Sequence, residues 1–432
     1  MKKLMLLAGV SVGLAAFAAP FSFTFENDHT NLLYRCGEKA VFTVRVTETN
    51  GAPARAGVVN AKLDNFGPKV VWRGALDLAK TNVFSVSGTL DEPGFLRLTV
   101  SAPKQSATVW SVGYEPTRIR KGSPTPADFD AFWAEARAKL AREVPPDVVQ
   151  TRIPERSTKD FDFYQISFAT FGRRVSGYLS VPTDKAKGPY PVDVQVAAAG
   201  LGNWSMNTQG SPDSIVLFFG VFPFQTDWRW ETNGTKAKYN AVNAEAKRKY
   251  GTGYAQSGIT DGRESYFFYP VLLGIDRAVT WVVSRPDVDR TRVRYQGTSQ
   301  GGGFGFYLCG LNRAFTRAAF YVPAITDTMG YLKGRQSGWP SIVERNVEGN
   351  GNRVAAELWA PYFDGANFAS RITCPVRVAV GFSDTTCAPC AVYAAYNEIR
   401  VADKAIGHGF GMTHSCFRRF YDAFGAWVKE TR

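Results

Sequence analysis

Apolar and polar residues alternate in short runs over the first quarter of the chain. Across residues 41–46, Phe42, Val44 and Val46 point one way while Thr43 and Arg45 point the other, the period-two pattern of a half-buried strand. Similar runs follow at residues 58–63, 70–72, 84–86 and 95–100, broken by Asn50-Gly51, Asn65-Phe-Gly-Pro68 and Asp91-Glu-Pro-Gly94. Short strands separated by turn residues at this spacing predict a β-sandwich domain over residues 19–114.

The pattern then changes period. Residues 111–126 form a linker rich in Pro, Gly and Ser, which is expected to deliver Thr125 as an N-cap and Pro126 at the first helical position. Phe129, Phe132, Trp133, Ala136 and Leu140 recur at helical spacing. Strands are predicted at residues 163–168 and 175–181, and a largely apolar one of the buried parallel type at 192–199, ending in Gly200-Leu201-Gly202. Residues 203–262 read as a long connection. It holds a second apolar run at 215–224 and the aromatics Trp228, Trp230 and Tyr239, and segments of this size usually shape a pocket. Residues 266–283 are predicted helical, 318–322 and 376–381 strands, and 418–429 a closing helix. Strands alternating with helices imply a mostly parallel α/β sheet over residues 115–432.

Three features of composition narrow the picture. The 432 residues carry a formal charge of +13, but Lys and Arg are scattered and no nucleic-acid motif occurs, so a nucleic-acid partner is not expected. The charge is compatible with a weak electrostatic preference for acidic polysaccharide. Lys2-Lys3, the apolar stretch 4–16 and Ala16-Phe17-Ala18 predict a cleaved signal peptide over residues 1–18 and a secreted or periplasmic protein. No later stretch approaches the ~20 apolar residues of a membrane span. All six cysteines (Cys36, Cys309, Cys374, Cys387, Cys390, Cys416) lie beyond the cleavage site, where disulfides are permitted. Cys387-Ala-Pro-Cys390 lacks the second such pair a zinc site needs, and reads as a local disulfide or two packed thiols.

The candidate chemistry centres on residues 291–303. A short strand there ends in Gly297-Thr298-Ser299-Gln300-Gly301, followed by an apolar run of helical length. Strand, Gly-x-Ser-x-Gly, helix is the setting of a nucleophilic serine on a turn too tight for side chains beside it. A serine hydroxyl needs an adjacent base, and the chain has three histidines, His29, His408 and His414. Asp384 follows a strand between serine and histidine, so Ser299, Asp384 and His408 occur in the order of the α/β-hydrolase fold. His408 and His414 lie 24 and 30 residues after Asp384, and spacing leaves both open. His408 is expected as the base because it directly follows an apolar segment between Gly407 and Gly409, whereas Thr413 and Ser415 beside His414 resemble helix-capping residues. The oxyanion donors are expected to be the backbone N–H groups of Gln300 and Leu201. No metal or phosphate constellation competes.

The chain from Pro126 onward resembles the acetyl xylan esterase and cephalosporin C deacetylase group, carbohydrate esterase family seven. The resemblance rests on Asp128-Phe-Asp-Ala-Phe-Trp133, Arg292-Val-Arg-Tyr-Gln-Gly-Thr-Ser-Gln-Gly-Gly302, Asp384-Thr-Thr-Cys-Ala-Pro389 and Ala394-Ala-Tyr-Asn397. It implies an α/β-hydrolase domain behind the sandwich, with Ser299 as nucleophile, Asp384 as triad acid and His408 as the Gly-His base. It further implies removal of O-acetyl groups from xylan, xylo-oligosaccharides and other small acetylated compounds, without a cofactor. The family usually places Gly-Tyr at the oxyanion loop, where this chain has Gly200-Leu201; the backbone donor survives that change. Its simplest members lack the sandwich and assemble as ring-like hexamers, and a homo-oligomer is compatible with the resemblance. Trp204 and the aromatics of the long connection are expected to crowd the acyl side and favour acetyl over longer chains. Two other readings remain: a serine peptidase of the same fold, or a non-catalytic binding protein on a hydrolase scaffold.

Overall fold

The computed structural model describes residues 21–201, 209–224, 234–348 and 352–430. The expected signal peptide and Trp204, Trp228 and Trp230 lie outside the described residues.

Eight strands fill the N-terminal part: β1 (Phe21–Asn27), β2 (Leu33–Tyr34), β3 (Ala40–Glu48), β4 (Val58–Asp64), β5 (Val70–Asp77), β6 (Val83–Gly88), β7 (Gly94–Ser101) and β8 (Thr108–Tyr114). They form a three-stranded sheet, β1-β3-β6, and a five-stranded sheet, β2-β8-β7-β4-β5. The alternation seen in sequence is the alternation in space. Ala40, Phe42, Val44 and Val46 are buried along β3, and their side chains share a core with Phe95, Leu98 and Val100 of β7.

The rest of the chain begins with α1 (Phe129–Glu143), β9 (Val149–Arg152), β10 (Phe161–Thr170), β11 (Arg173–Pro182), β12 (Tyr190–Val196) and β13 (Ile215–Phe219). Next come α2 (Thr235–Tyr250), α3 (Phe268–Val283), β14 (Val288–Thr298), α4 (Gln300–Leu311) and β15 (Arg317–Tyr321). Helices α5 (Ile342–Glu348), α6 (Arg353–Trp359) and α7 (Gly365–Ala369) precede β16 (Val376–Gly381), α8 (Pro389–Glu398), β17 (Lys404–Gly409) and α9 (Arg418–Lys429). One nine-stranded sheet runs β17-β16-β15-β14-β12-β13-β11-β10-β9. It is parallel from β17 to β13 and antiparallel from there to β9. Strands in its middle are buried on both faces, as in β13, where all five residues are buried, so they read as unbroken apolar runs.

Two expectations need correction. The run at 215–224 is not part of a pocket-forming insertion: its first five residues are β13, a central strand between β12 and β11. An unbroken apolar run is what a doubly covered strand requires, and periodicity alone does not separate it from other buried segments. Helix α1 starts at Phe129 with Asp128 at the N-cap. The Thr125 hydroxyl instead accepts from Lys121 Nζ and donates to Asn367 Oδ1.

The N-terminal sheets dock at the edge of the large sheet that carries β16 and β17. The Asn65 amide donates to the Gly334 carbonyl (2.8 Å), and the Ser111 hydroxyl donates to the Phe382 carbonyl. The Phe95 ring meets Phe382 edge-on at 5.0 Å.

Candidate active site

Parallel strands place their C-terminal ends together, and the loops leaving β14, β16 and β17 meet there. β14 ends at Thr298 and α4 begins at Gln300, so one residue, Ser299, makes the whole turn. Its φ is 55°, a conformation unfavourable for a residue with a side chain. Three backbone bonds hold it there: Ser299 N–H donates to the Tyr321 carbonyl at 2.9 Å, and the Ser299 carbonyl accepts from Gly303 N–H (3.0 Å) and Ala324 N–H (2.9 Å). The flanking glycines are steric requirements. A Cβ on Gly297 would lie 2.4 Å from the Gly301 carbonyl oxygen, and one on Gly301 would lie 2.1 Å from that of Val196.

Asp384 stands beyond β16 and is fully buried. Its Oδ1 accepts from the backbone N–H groups of Thr386 (2.8 Å) and Cys387 (2.9 Å). Its Oδ2 lies 2.8 Å from His414 Nδ1, and His414 Nε2 lies 2.9 Å from Ser299 Oγ. Carboxylate, imidazole and hydroxyl are thus joined in one line.

The histidine in that line is His414, which corrects the expectation of His408. His408 lies within β17, not in the loop after it. Three strand spacings of about 4.8 Å separate β17 from β14, too far for an imidazole standing on the strand. His408 Nε2 instead meets the Tyr393 hydroxyl at 2.6 Å, and its ring packs on Phe382 at 5.3 Å. Burial holds its pKa below the usual imidazole value. The chain turns through Gly409–Met412, with Gly411 at a φ of 68° and Ser383 N–H donating to the Met412 carbonyl at 3.0 Å. That turn carries His414 back over the strand ends. His29 is remote, paired with Glu38 at 3.1 Å and with the Leu33 carbonyl.

Gln300 and Leu201 belong to the two loops expected to supply oxyanion donors, and the Gln300 side chain ties those loops together. Its Nε2 donates to the Ala197 carbonyl (3.1 Å), while its Oε1 accepts from the Tyr254 hydroxyl (2.8 Å). Tyr254 escaped the sequence reading: it sits in Gly251-Thr-Gly-Tyr254, without periodicity or motif to mark it. Tyr239 packs near it, 6.2 Å from ring to ring.

Cys387, expected only as half of a local disulfide or a pair of packed thiols, also lies at this site, its N–H donating to Asp384. Burial, then the Asp384 charge, push its pKa well up, so it stays a neutral thiol. Asp384, Cys387 and His414 present ligand atoms within 4.8 Å of one another, so this set could hold a metal ion. All six cysteines are free thiols.

This geometry agrees with what the sequence matches. The family described as acetyl xylan esterase (AXE1) is matched over residues 115–429. The chain belongs to the acetyl xylan esterase family. It is therefore a carboxylic ester hydrolase on an α/β-hydrolase fold. Acetyl esterase Axe7A of Xylanibacter ruminicola is 28% identical over 425 residues, covering 94% of this chain and 92% of that one. That match extends into the N-terminal sheets. Among solved structures, the acetyl xylan esterase from Paenibacillus sp. R4 superposes with a TM-score of 0.59 at 23% identity, covering 73% of this chain and 98% of its own. Acetyl xylan esterase 1 from Thermoanaerobacterium sp. JW/SL YS485 gives 0.58 at 20% identity, covering 73% and 96%. These two family members share the fold of the esterase part, and nearly all of each is accounted for by about three quarters of this chain.

Proposed function

We propose that this acetyl xylan esterase family member is an exported serine esterase that removes O-acetyl groups from acetylated xylan, xylo-oligosaccharides or related small acetyl esters. The observation that carries the mechanism is the pair of contacts made by His414, 2.9 Å to Ser299 Oγ and 2.8 Å to Asp384 Oδ2. Ser299 Oγ attacks the acetyl carbonyl carbon while His414 Nε2 takes the hydroxyl proton. Asp384 fixes the imidazole with its proton on Nδ1 and stabilises the imidazolium. Negative charge develops on the carbonyl oxygen and is met by the backbone N–H groups of Gln300 and Leu201, each worth ~2.7–4 kcal/mol in comparable sites. Collapse expels the sugar hydroxyl, which receives the proton from His414 and leaves the acetyl group on Ser299. Water, deprotonated by the same imidazole, attacks that ester and releases acetate and the free serine.

Export is supported by Lys2-Lys3, the apolar stretch after it and Ala16-Phe17-Ala18; among the described residues no helix is long and apolar enough to cross a membrane. A chromogenic acetyl ester assayed beside a chromogenic peptide amide tests the reading. Turnover of the ester and none of the amide is expected; amide cleavage alone would make the protein a peptidase, and neither activity would make it a binding protein.

A further inference from the structure

A cleft of about 830 Å³ is lined by residues that adjoin the site in sequence or bond to its supports. On one side Gly253 and Gln256 flank Tyr254, whose hydroxyl bonds Gln300. On the second, the Trp339 carbonyl accepts from Ile325 N–H, next to Ala324, whose N–H holds the Ser299 carbonyl. On the third, Thr385 and Thr386 directly follow Asp384, and the Gln336 amide reaches across to the Thr385 carbonyl at 2.7 Å. The volume lies within the roughly 300–1,000 Å³ of ordinary small-molecule sites, room for a short oligosaccharide and far more than an acetyl group needs. Trp339 offers a half-buried indole, an apolar plane suited to the C–H face of a pyranose, amid polar partners for hydroxyls.

Among the described residues that line the cleft, Lys247 and Arg345 are basic and none is acidic. Lys247 is exposed on the last turn of α2, its ammonium bonded to the Gly251 carbonyl at 3.0 Å. We propose that this cleft takes the sugar side of the ester, and that it selects chains carrying carboxylates, such as xylo-oligosaccharides branched with a hexuronic acid. The proposal rests on the acetyl esterase reading only for the identity of the leaving group; the binding it describes does not require turnover.

Binding is therefore measured without chemistry. Unacetylated xylo-oligosaccharides of equal length, with and without one hexuronic acid branch, are titrated calorimetrically into the full chain at low ionic strength. The acidic ligand is expected to bind roughly two- to fivefold tighter for each basic residue it engages. That advantage should vanish in about 0.5 M salt, where the Debye length falls to a few ångströms, and should shrink in Lys247→Met and shrink further in Lys247→Glu. Equal affinity for the two ligands, or a preference unchanged in both variants, overturns the proposal. Trp339→Ala should weaken both ligands alike. Hydrolysis of a small acetyl ester is assayed separately: failure there removes the esterase reading and leaves the binding result standing, and the reverse holds as well.

Discussion

His414 and His408 stand six residues apart, and their surroundings assign them opposite tasks. His414 bridges Ser299 and Asp384, so His414→Ala is expected to lose turnover of a chromogenic acetyl ester by about as much as Ser299→Ala, on the order of 10⁶ for residues acting as a unit. His408→Ala should keep most of the activity; a His408→Ala loss rivalling that of His414→Ala would return the base to β17. His408 should reveal itself in stability instead. Its pKa is held down by burial in the native state, while the unfolded chain protonates near pH 6.5. As pH falls through that value the unfolded state binds a proton the native state resists, and stability drops. Melting temperatures at pH 7.5 and 5.5 should therefore differ more for the native sequence than for His408→Gln. An equal difference would mean that the Tyr393–His408 pair does not govern acid sensitivity.

The turn between β14 and α4 is the element on which the site depends, and its tolerance is set by backbone contacts. A methyl on Gly301 would meet the Val196 carbonyl oxygen at 2.1 Å, at the end of β12 where the Ala197 and Ala198 carbonyls receive Gln300. Gly301→Ala is expected to cost about 1–3 kcal/mol or more in denaturant unfolding, and to reduce turnover by moving both oxyanion loops. Full activity and stability would show that β12 can retreat. This element was the most legible part of the sequence, because glycine on either side of a serine, between a strand and a helix, has a steric meaning that needs no tertiary context. Asp384 was legible too, as the first acid beyond an apolar strand. The base was not. Whether His408 lies in strand or loop depends on where β17 stops, and strand ends are set by pairing: His408 stays in β17 because it pairs with Val380 of β16. Likewise the run at 215–219 became a strand only because β11 and β12 flank it. Tyr254 acts through a contact across the fold, with the Gln300 side chain, and nothing local marks it.

At the scale of the whole chain, the N-terminal sheets are packed into the support of Asp384, the proposed triad acid. Phe95 of β7 is fully buried, edge-on to Phe382 at 5.0 Å and 5.7 Å from Tyr393. Phe382 precedes Asp384 by two residues, its carbonyl takes the Ser111 hydroxyl, and its N–H donates to the Gly409 carbonyl at 3.0 Å. Tyr393 in turn holds His408. The sandwich thus presses on the loop that aims Asp384, while the Gln336 backbone bonds Phe66 and the Gln336 side chain reaches Thr385. Phe95→Ala removes the ring at the centre of this contact and is expected to cost ~3–5 kcal/mol. Phe42, equally buried but in β3 of the three-stranded sheet, provides the comparison. Phe42→Ala should destabilise by a similar amount and leave kcat unchanged well below the melting temperature. Phe95→Ala should lower kcat about tenfold or more under the same conditions, because small displacements of a catalytic group are costly in rate. If the two variants lose stability alike and both retain full kcat, the sandwich supports the fold without aiming the acid. If only Phe95→Ala slows the reaction, the N-terminal sheets belong to the catalytic apparatus of this chain, although about three quarters of it accounts for nearly all of each of the two smaller esterases.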